Sequence, residues 1–232
     1  MIYKIKVFSV ITILLLVFSI FWYLQAIPFI QTKDYQSSIV AYQGFFNLKY
    51  LTGYYLMIFL PACHFVFPDI NNFELVRYRS RLSYFYKRLR KAFISSLAFS
   101  LILCLIVLIG TSVFFNISTL ISQNFHMAIF LQLIQFSLVY GILLNCSNML
   151  LDITNNVVVS IVTTVLVFIL LTNIIFFELR YSFFFDDILI MNFFFEGHGS
   201  ITMLAMCIFR MCVLYVITFL TSRYFFLLRD VK

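Results

Sequence analysis

Apolar residues fill this chain in six long runs, and the polar residues gather in the short stretches between them. A helix needs about 20 mainly apolar residues to cross roughly 30 Å of hydrocarbon. The pattern predicts six membrane spans, at 7–24, 48–67, 92–115, 126–148, 157–177 and 201–222, with no connection long enough to form a second domain. Residues 1–232 are therefore expected to make a single transmembrane domain. The first run follows Lys4 and Lys6, as a signal peptide would. At Leu24-Gln25-Ala26-Ile27-Pro28, however, a leucine stands where a cleavage site requires a small residue, so this run is expected to remain as a span. Pro61 falls inside the second run, where it should kink the helix or mark an irregular end, and Pro68 fits the exit.

Composition agrees with the pattern. Hydrophobic residues make up 63% of the chain and charged residues 11%, against roughly 45–50% and 25% in soluble domains. That excludes a soluble globular protein, and it excludes a disordered one, which needs low hydrophobicity and high charge. The formal net charge of +7 records topology before it suggests nucleic acid, which is not expected as a partner. With the N-terminus inside, Lys4, Lys6, seven cations in 68–91, Arg223, Arg229 and Lys232 are cytoplasmic, and only Lys33 and Arg180 fall in outer loops. The positive-inside rule thus predicts both termini in the cytoplasm. The five cysteines lie in apolar runs without CxxC spacing and read as small buried hydrophobes.

Two connections are unusual. In the first, residues 73–93, Leu75, Tyr78, Leu82, Phe85 and Leu89 fall within an arc of about 80° at helical spacing. Arg77, Arg81, Arg88 and Lys91 fall on the other side, and Arg79 and Arg90 flank the apolar stripe. This predicts an amphipathic helix leading into the third span. It would rest its cations on lipid headgroups, dock into another protein, or do both. The stretch Glu74-Leu75-Val76-Arg77-Tyr78-Arg79-Ser80-Arg81 resembles the Arg-Tyr-x-Ser-Arg pattern of small permeases in bacterial peptide and bacteriocin export systems. With six spans and both termini inside, the layout resembles the permease subunit of type V, exporter-class ABC transporters. The resemblance implies an all-α integral membrane protein of the bacterial cell membrane. It places a cytoplasmic coupling helix between spans two and three, with Glu74, Arg77, Tyr78, Ser80 and Arg81 at the ATPase contact. It further implies two copies of a separate ATP-binding subunit, which carry the ATP and magnesium, and a second permease half, the same chain or a homologous one. Membrane lipid is the remaining partner. The family begins with an amphipathic elbow helix; here only about six residues precede the first span, so an elbow would be vestigial.

The second unusual connection, 178–200, carries Glu178, Asp186, Asp187 and Glu196 among Phe183–Phe185, Ile188–Met191 and Phe193–Phe195. So many large apolar groups do not belong in an aqueous loop. The resemblance implies short outer-face helices that cap a translocation path between spans five and six; a preamble to the sixth span with aromatic belt residues is the alternative. Arg210, in the outer half of the sixth span, would cost roughly 2.5–3.5 kcal/mol at mid-bilayer. It should snorkel or pair with Asp186, Asp187 or Glu196, or meet a transported anion. Gln132 and Gln135 share a face of the fourth span, as do Asn145 and Asn148, and such amides join helices or line a path. The three histidines do not converge, so no metal site is expected. No GxxxxGK[ST] loop, HExxH or GxSxG element occurs, so neither ATP hydrolysis nor other catalysis is expected on this chain. The reading is an ATP-driven exporter of amphipathic peptides, of the bacteriocin or phenol-soluble-modulin kind. A membrane immunity or accessory protein, and a six-span substrate-capture component of an importer, remain open.

Overall fold

The computed structural model describes residues 2–31, 35–47, 50–66, 81–122, 125–178 and 201–228, and every element among them is helical. The chain forms α1 (Ile2–Ala26), α2 (Tyr35–Phe45), a π-helical turn (Tyr50–Tyr55), α3 (Leu56–Val66), α4 (Arg81–Phe114), α5 (Ile117–Ser122), α6 (Phe125–Thr154), α7 (Val157–Glu178) and α8 (Ile201–Leu228). In hydrocarbon a backbone must satisfy its own polar groups, and uninterrupted Leu, Ile, Val and Phe runs do so as helices. Four helices, Ile5–Ala26, Arg81–Phe114, Phe125–Thr154 and Thr202–Leu228, are long and apolar enough to cross a membrane. Two shorter apolar helices, Gly53–Val66 and Val157–Leu170, pack beside them.

Contacts at the helix ends show how the elements run. The Lys6 ammonium sits 5.2 Å from the centre of the Phe65 ring, so the start of α1 adjoins the end of α3. The rings of Trp22 and Phe114 stack at 5.9 Å, bringing the ends of α1 and α4 together. Phe85 lies 5.5 Å from Phe226, and Arg88 meets Asp152. The starts of α1 and α4 and the ends of α3, α6 and α8 therefore share one end of the bundle. Helix α6 is central, with 67% of its apolar window buried, whereas α1 and α8 bury 17% of theirs and lie at the rim. Their outward faces are apolar, with Phe8, Leu16, Met206 and Phe209 exposed. This inversion of the soluble pattern suits a hydrocarbon solvent.

Lipid tails are as apolar as leucine, so close packing and buried hydrogen bonds, not the hydrophobic effect, must join membrane helices. Here aromatic rings provide much of that packing. Phe18 of α1 meets Tyr55 at 5.0 Å and Phe99 of α4 at 5.7 Å, and Phe99 meets Phe59 of α3 at 4.8 Å and Tyr140 of α6 at 4.9 Å. Such pairs contribute about 0.5–1.5 kcal/mol each. Two glycines admit close approach. A Cβ at Gly110 would lie 2.6 Å from the Trp22 ring, and one at Gly141 would lie 2.7 Å from Tyr215 of α8.

Several expected boundaries move. Helix α4 runs unbroken from Arg81 to Phe114, so residues 81–91 of the basic segment and the third span are one 34-residue helix. Helix α6 continues to Thr154, and the expected connection 149–156 shrinks to Asn155 and Asn156. Asn155 takes the left-handed conformation, with φ 53°, which asparagine tolerates well. The Asn156 side-chain oxygen accepts the amides of Val158 (2.9 Å) and Val159 (3.3 Å), capping α7. The stretch 25–47, expected as an outer loop, holds α2 with Ala41, Tyr42 and Phe45 fully buried. The second span is split between the π-helical turn and α3, which contains Pro61.

Candidate functional site

The densest polar contacts lie at the shared end of the bundle. Asn148 and Asp152, one turn apart on α6, present a carbonyl and a carboxylate on one face. Arg88 of α4 reaches both. Its Nη1 donates to Asp152 Oδ1 (2.8 Å) and Oδ2 (2.9 Å), and its Nη2 donates to the Asn148 carbonyl (2.8 Å). The carboxylate is fully buried and the arginine side chain is 10% exposed. On the side toward α8, Tyr84 and Phe85 pack against Phe226 and Phe219, and the guanidinium lies 6.0 Å from the Phe226 ring centre. A second chain ties three helices together: His64 Nε2 of α3 shares a hydrogen bond with Ser147 Oγ of α6 (3.2 Å), and Ser147 Oγ with Ser160 Oγ of α7 (3.0 Å). Ser160 also donates to the Ser147 carbonyl.

This arrangement corrects the expected orientation of the basic helix. The buried face contains Tyr84, Phe85, Arg88 and Ala92, whereas Tyr86 and Arg90 are exposed. It is turned from the Leu82–Phe85–Leu89 stripe toward Arg88. An aromatic wall on α8 and a carboxylate on α6 select that face, and neither is visible in the local pattern. A cavity of about 40 Å³ beside the arginine is lined by Cys63, His64, Lys87, Arg88, Lys91, Ser95 and Asn148, among others.

Of the residues expected to contact an ATPase, Arg81 is the exposed first residue of α4. Glu74, Arg77, Tyr78 and Ser80 lie outside the described residues, as do Asp186, Asp187 and Glu196. Gln132 and Gln135 are both buried in α6. Gln132 Oε1 accepts a hydrogen bond from Tyr42 Oη at 2.9 Å, which joins α2 to α6. Burial pushes the Tyr42 phenol well above its usual range and keeps it a donor. Neither amide atom of Gln135 has a hydrogen-bond partner among the described residues. Arg210 is half-buried and points Nη2 at Cys207 Sγ, 3.1 Å away. The two amides and the ion pair thus occupy different depths of the bundle, and Arg210 is carried by α8. Among the described residues no group of three His, Cys, Asp or Glu side chains converges.

Sequence reasoning missed the pairing of Arg88 with Asp152. Asn145, Asn148 and Asp152 recur at spacings of three and four, a polar stripe that carries the fourth helix beyond its expected end. No protein-family model matches the chain, and no curated protein or solved structure matches it.

Proposed function

We propose that the chain is the membrane-spanning permease subunit of an ATP-driven bacterial exporter, moving amphipathic peptides out of the cell. Its six spans would run with both termini in the cytoplasm. Two copies of an ATP-binding subunit would drive it, and a second permease half would complete the path. One observation carries this reading: α4 is a single helix from Arg81 into the apolar core, clamped at its base to two other helices. A helix of this length extends about 50 Å. Motion delivered near Arg81 reaches α6 through the Arg88–Asp152 pair. It reaches α8 through the Tyr84–Phe85–Phe226 contacts. A membrane-surface helix would need neither clamp. Glu74, Arg77, Tyr78, Ser80 and Arg81 form the docking stretch in this reading, because arginines suit charge-assisted bonds to an acidic groove. Gln132, Gln135 and Arg210 are the polar groups available to a translocation path.

The test is recovery of the co-expressed ATP-binding subunit on affinity-tagged permease, together with its stimulated ATP turnover. Arg77→Glu/Arg81→Glu should abolish both. Arg90→Glu, an exposed charge reversal two turns further along α4, should leave most of each intact. Equal behaviour of the two variants, or no effect of either, would reduce the segment to a surface helix and remove the support for a permease.

A further inference from the structure

We propose that α2 is a lid over the start of α6, closed in this structure, and that its opening lets water reach two glutamine amides on α6. Phe125, Gln132 and Phe136 stand at spacings of seven and four on α6, which places them within an arc of about 40°. Helix α2 packs on this face. The Tyr42 ring lies 6.0 Å from Phe125, and the ring of Phe46, the residue after α2, lies 4.9 Å from Phe136. Between them the Tyr42 hydroxyl donates to Gln132 Oε1 at 2.9 Å. Gln135 borders the same face, about 60° round the helix and about 4.5 Å further along its axis. Both glutamines are 1% exposed. Among the described residues, Gln132 Nε2 and both amide atoms of Gln135 have no hydrogen-bond partner.

An amide that leaves water without gaining partners raises the free energy of the state that buries it. A leucine or methionine would fill nearly the same volume without that cost. Any conformer that returns water to these amides is therefore favoured over the closed one by the same amount. The ring contacts of Tyr42 and Phe46 oppose opening, as do the hydrogen bonds from Tyr42 to Gln132 and from Tyr55 to the Phe45 carbonyl. A wholly apolar face would hold α2 shut; the unpaired amides set a free-energy term against closure. The position of the face suits a lid. Gln132 lies only about 10 Å along α6 from Phe125, so lifting the 11-residue α2 admits water from that end. The Arg88–Asp152 pair keeps α4 on α6 at the other end, and the bundle need not part. The lid requires neither transport nor an ATPase, so it stands or falls separately from the permease reading.

The test is backbone hydrogen exchange, read by mass spectrometry on the full chain in neutral detergent, with the thermal midpoint measured alongside. In the wild-type chain, 35–45 should exchange about tenfold or more faster than 130–142, because the lid opens while α6 stays helical. Equal rates in the two segments overturn the proposal, and that measurement needs no variant to fold. Gln135→Leu removes the amide that favours the open lid. It should slow exchange in 35–45 by about fivefold or more and raise the midpoint by about 3 °C. Gln135→Met, unbranched and close in volume, should do the same if leucine packs poorly. Faster exchange or a lower midpoint in both variants overturns the proposal, since it would mean that Gln135 is satisfied in the closed bundle. A raised midpoint with unchanged exchange in 35–45 also overturns it, because the amide would then be relieved by some motion other than that of α2.

Discussion

Taking an arginine and an aspartate out of water costs several kcal/mol per ion, and their attraction offsets this only when the geometry is good and the remaining donors are occupied. Arg88 meets the first condition with two bonds to one carboxylate, and its Nη2 bond to the Asn148 carbonyl goes far toward the second. The pair therefore contributes little net stability over apolar residues of the same size, while the loss of either partner strands a buried charge. Arg88→Leu and Asp152→Leu should each lower the stability of the detergent-solubilised protein by about 3–5 kcal/mol. Arg88→Leu/Asp152→Leu should lose far less than the sum. Additive losses in thermal unfolding would show that the two side chains act independently. The pairing was only half legible in the sequence. Asp152 continues a polar stripe with Asn145 and Asn148 at helical spacing, which marks it as helix-borne. Nothing local distinguishes Arg88 from the six other cations of its segment, because the choice depends on how α4 is rotated against α6 and α8.

At the scale of the element, α2 has the least helix-like composition and yet a well-buried face. Its serines, glutamines and neighbouring Lys33 and Asp34 suggest a loop, but Ile39, Tyr42 and Phe45 recur at every third position, and Phe46 follows at the fourth from Tyr42. All four side chains are buried. The Tyr42 ring meets Phe46 at 4.9 Å and Phe125 at 6.0 Å, and its hydroxyl is bonded to Gln132. Tyr42→Phe should keep the ring packing and lose that bond, leaving Gln132 without its donor. A cost of about 1 kcal/mol is expected, in line with other interhelical hydrogen bonds. It should appear in hydrogen exchange as faster opening of 35–45, with the centre of α6 unchanged; equal acceleration in both would mean that α2 opens only with the whole bundle. The four long apolar helices were legible because length and hydropathy dictate them. Where α6 ends was not, because a polar residue near a span end reads as loop until its partner on another helix is known.

The whole molecule presents its cations asymmetrically, and the fold gives that asymmetry a direction. The start of α1, the base of α4 and the end of α8 meet at one end of the bundle, and this end gathers Lys6, Arg81, Lys87, Arg88, Arg90, Lys91 and Arg223. The opposite end, with α2 and α5, contains no Lys or Arg among its described residues. Cells retain the basic flanks of apolar helices in the cytoplasm, so the basic end should face inward. Ser37 is buried in α2 and unsuited to labelling, whereas its neighbour Gln36 is exposed, as are Ser118 on α5 and Ser83 on α4. In a chain with its native cysteines replaced, Gln36→Cys and Ser118→Cys should react with an impermeant maleimide added to intact cells. Ser83→Cys should react only after permeabilisation. Labelling of position 83 in intact cells, with 36 and 118 protected, would invert the molecule. The docking stretch ahead of Arg81 would then face away from any cytoplasmic ATPase, and no rotation of α4 within the bundle could restore the coupling.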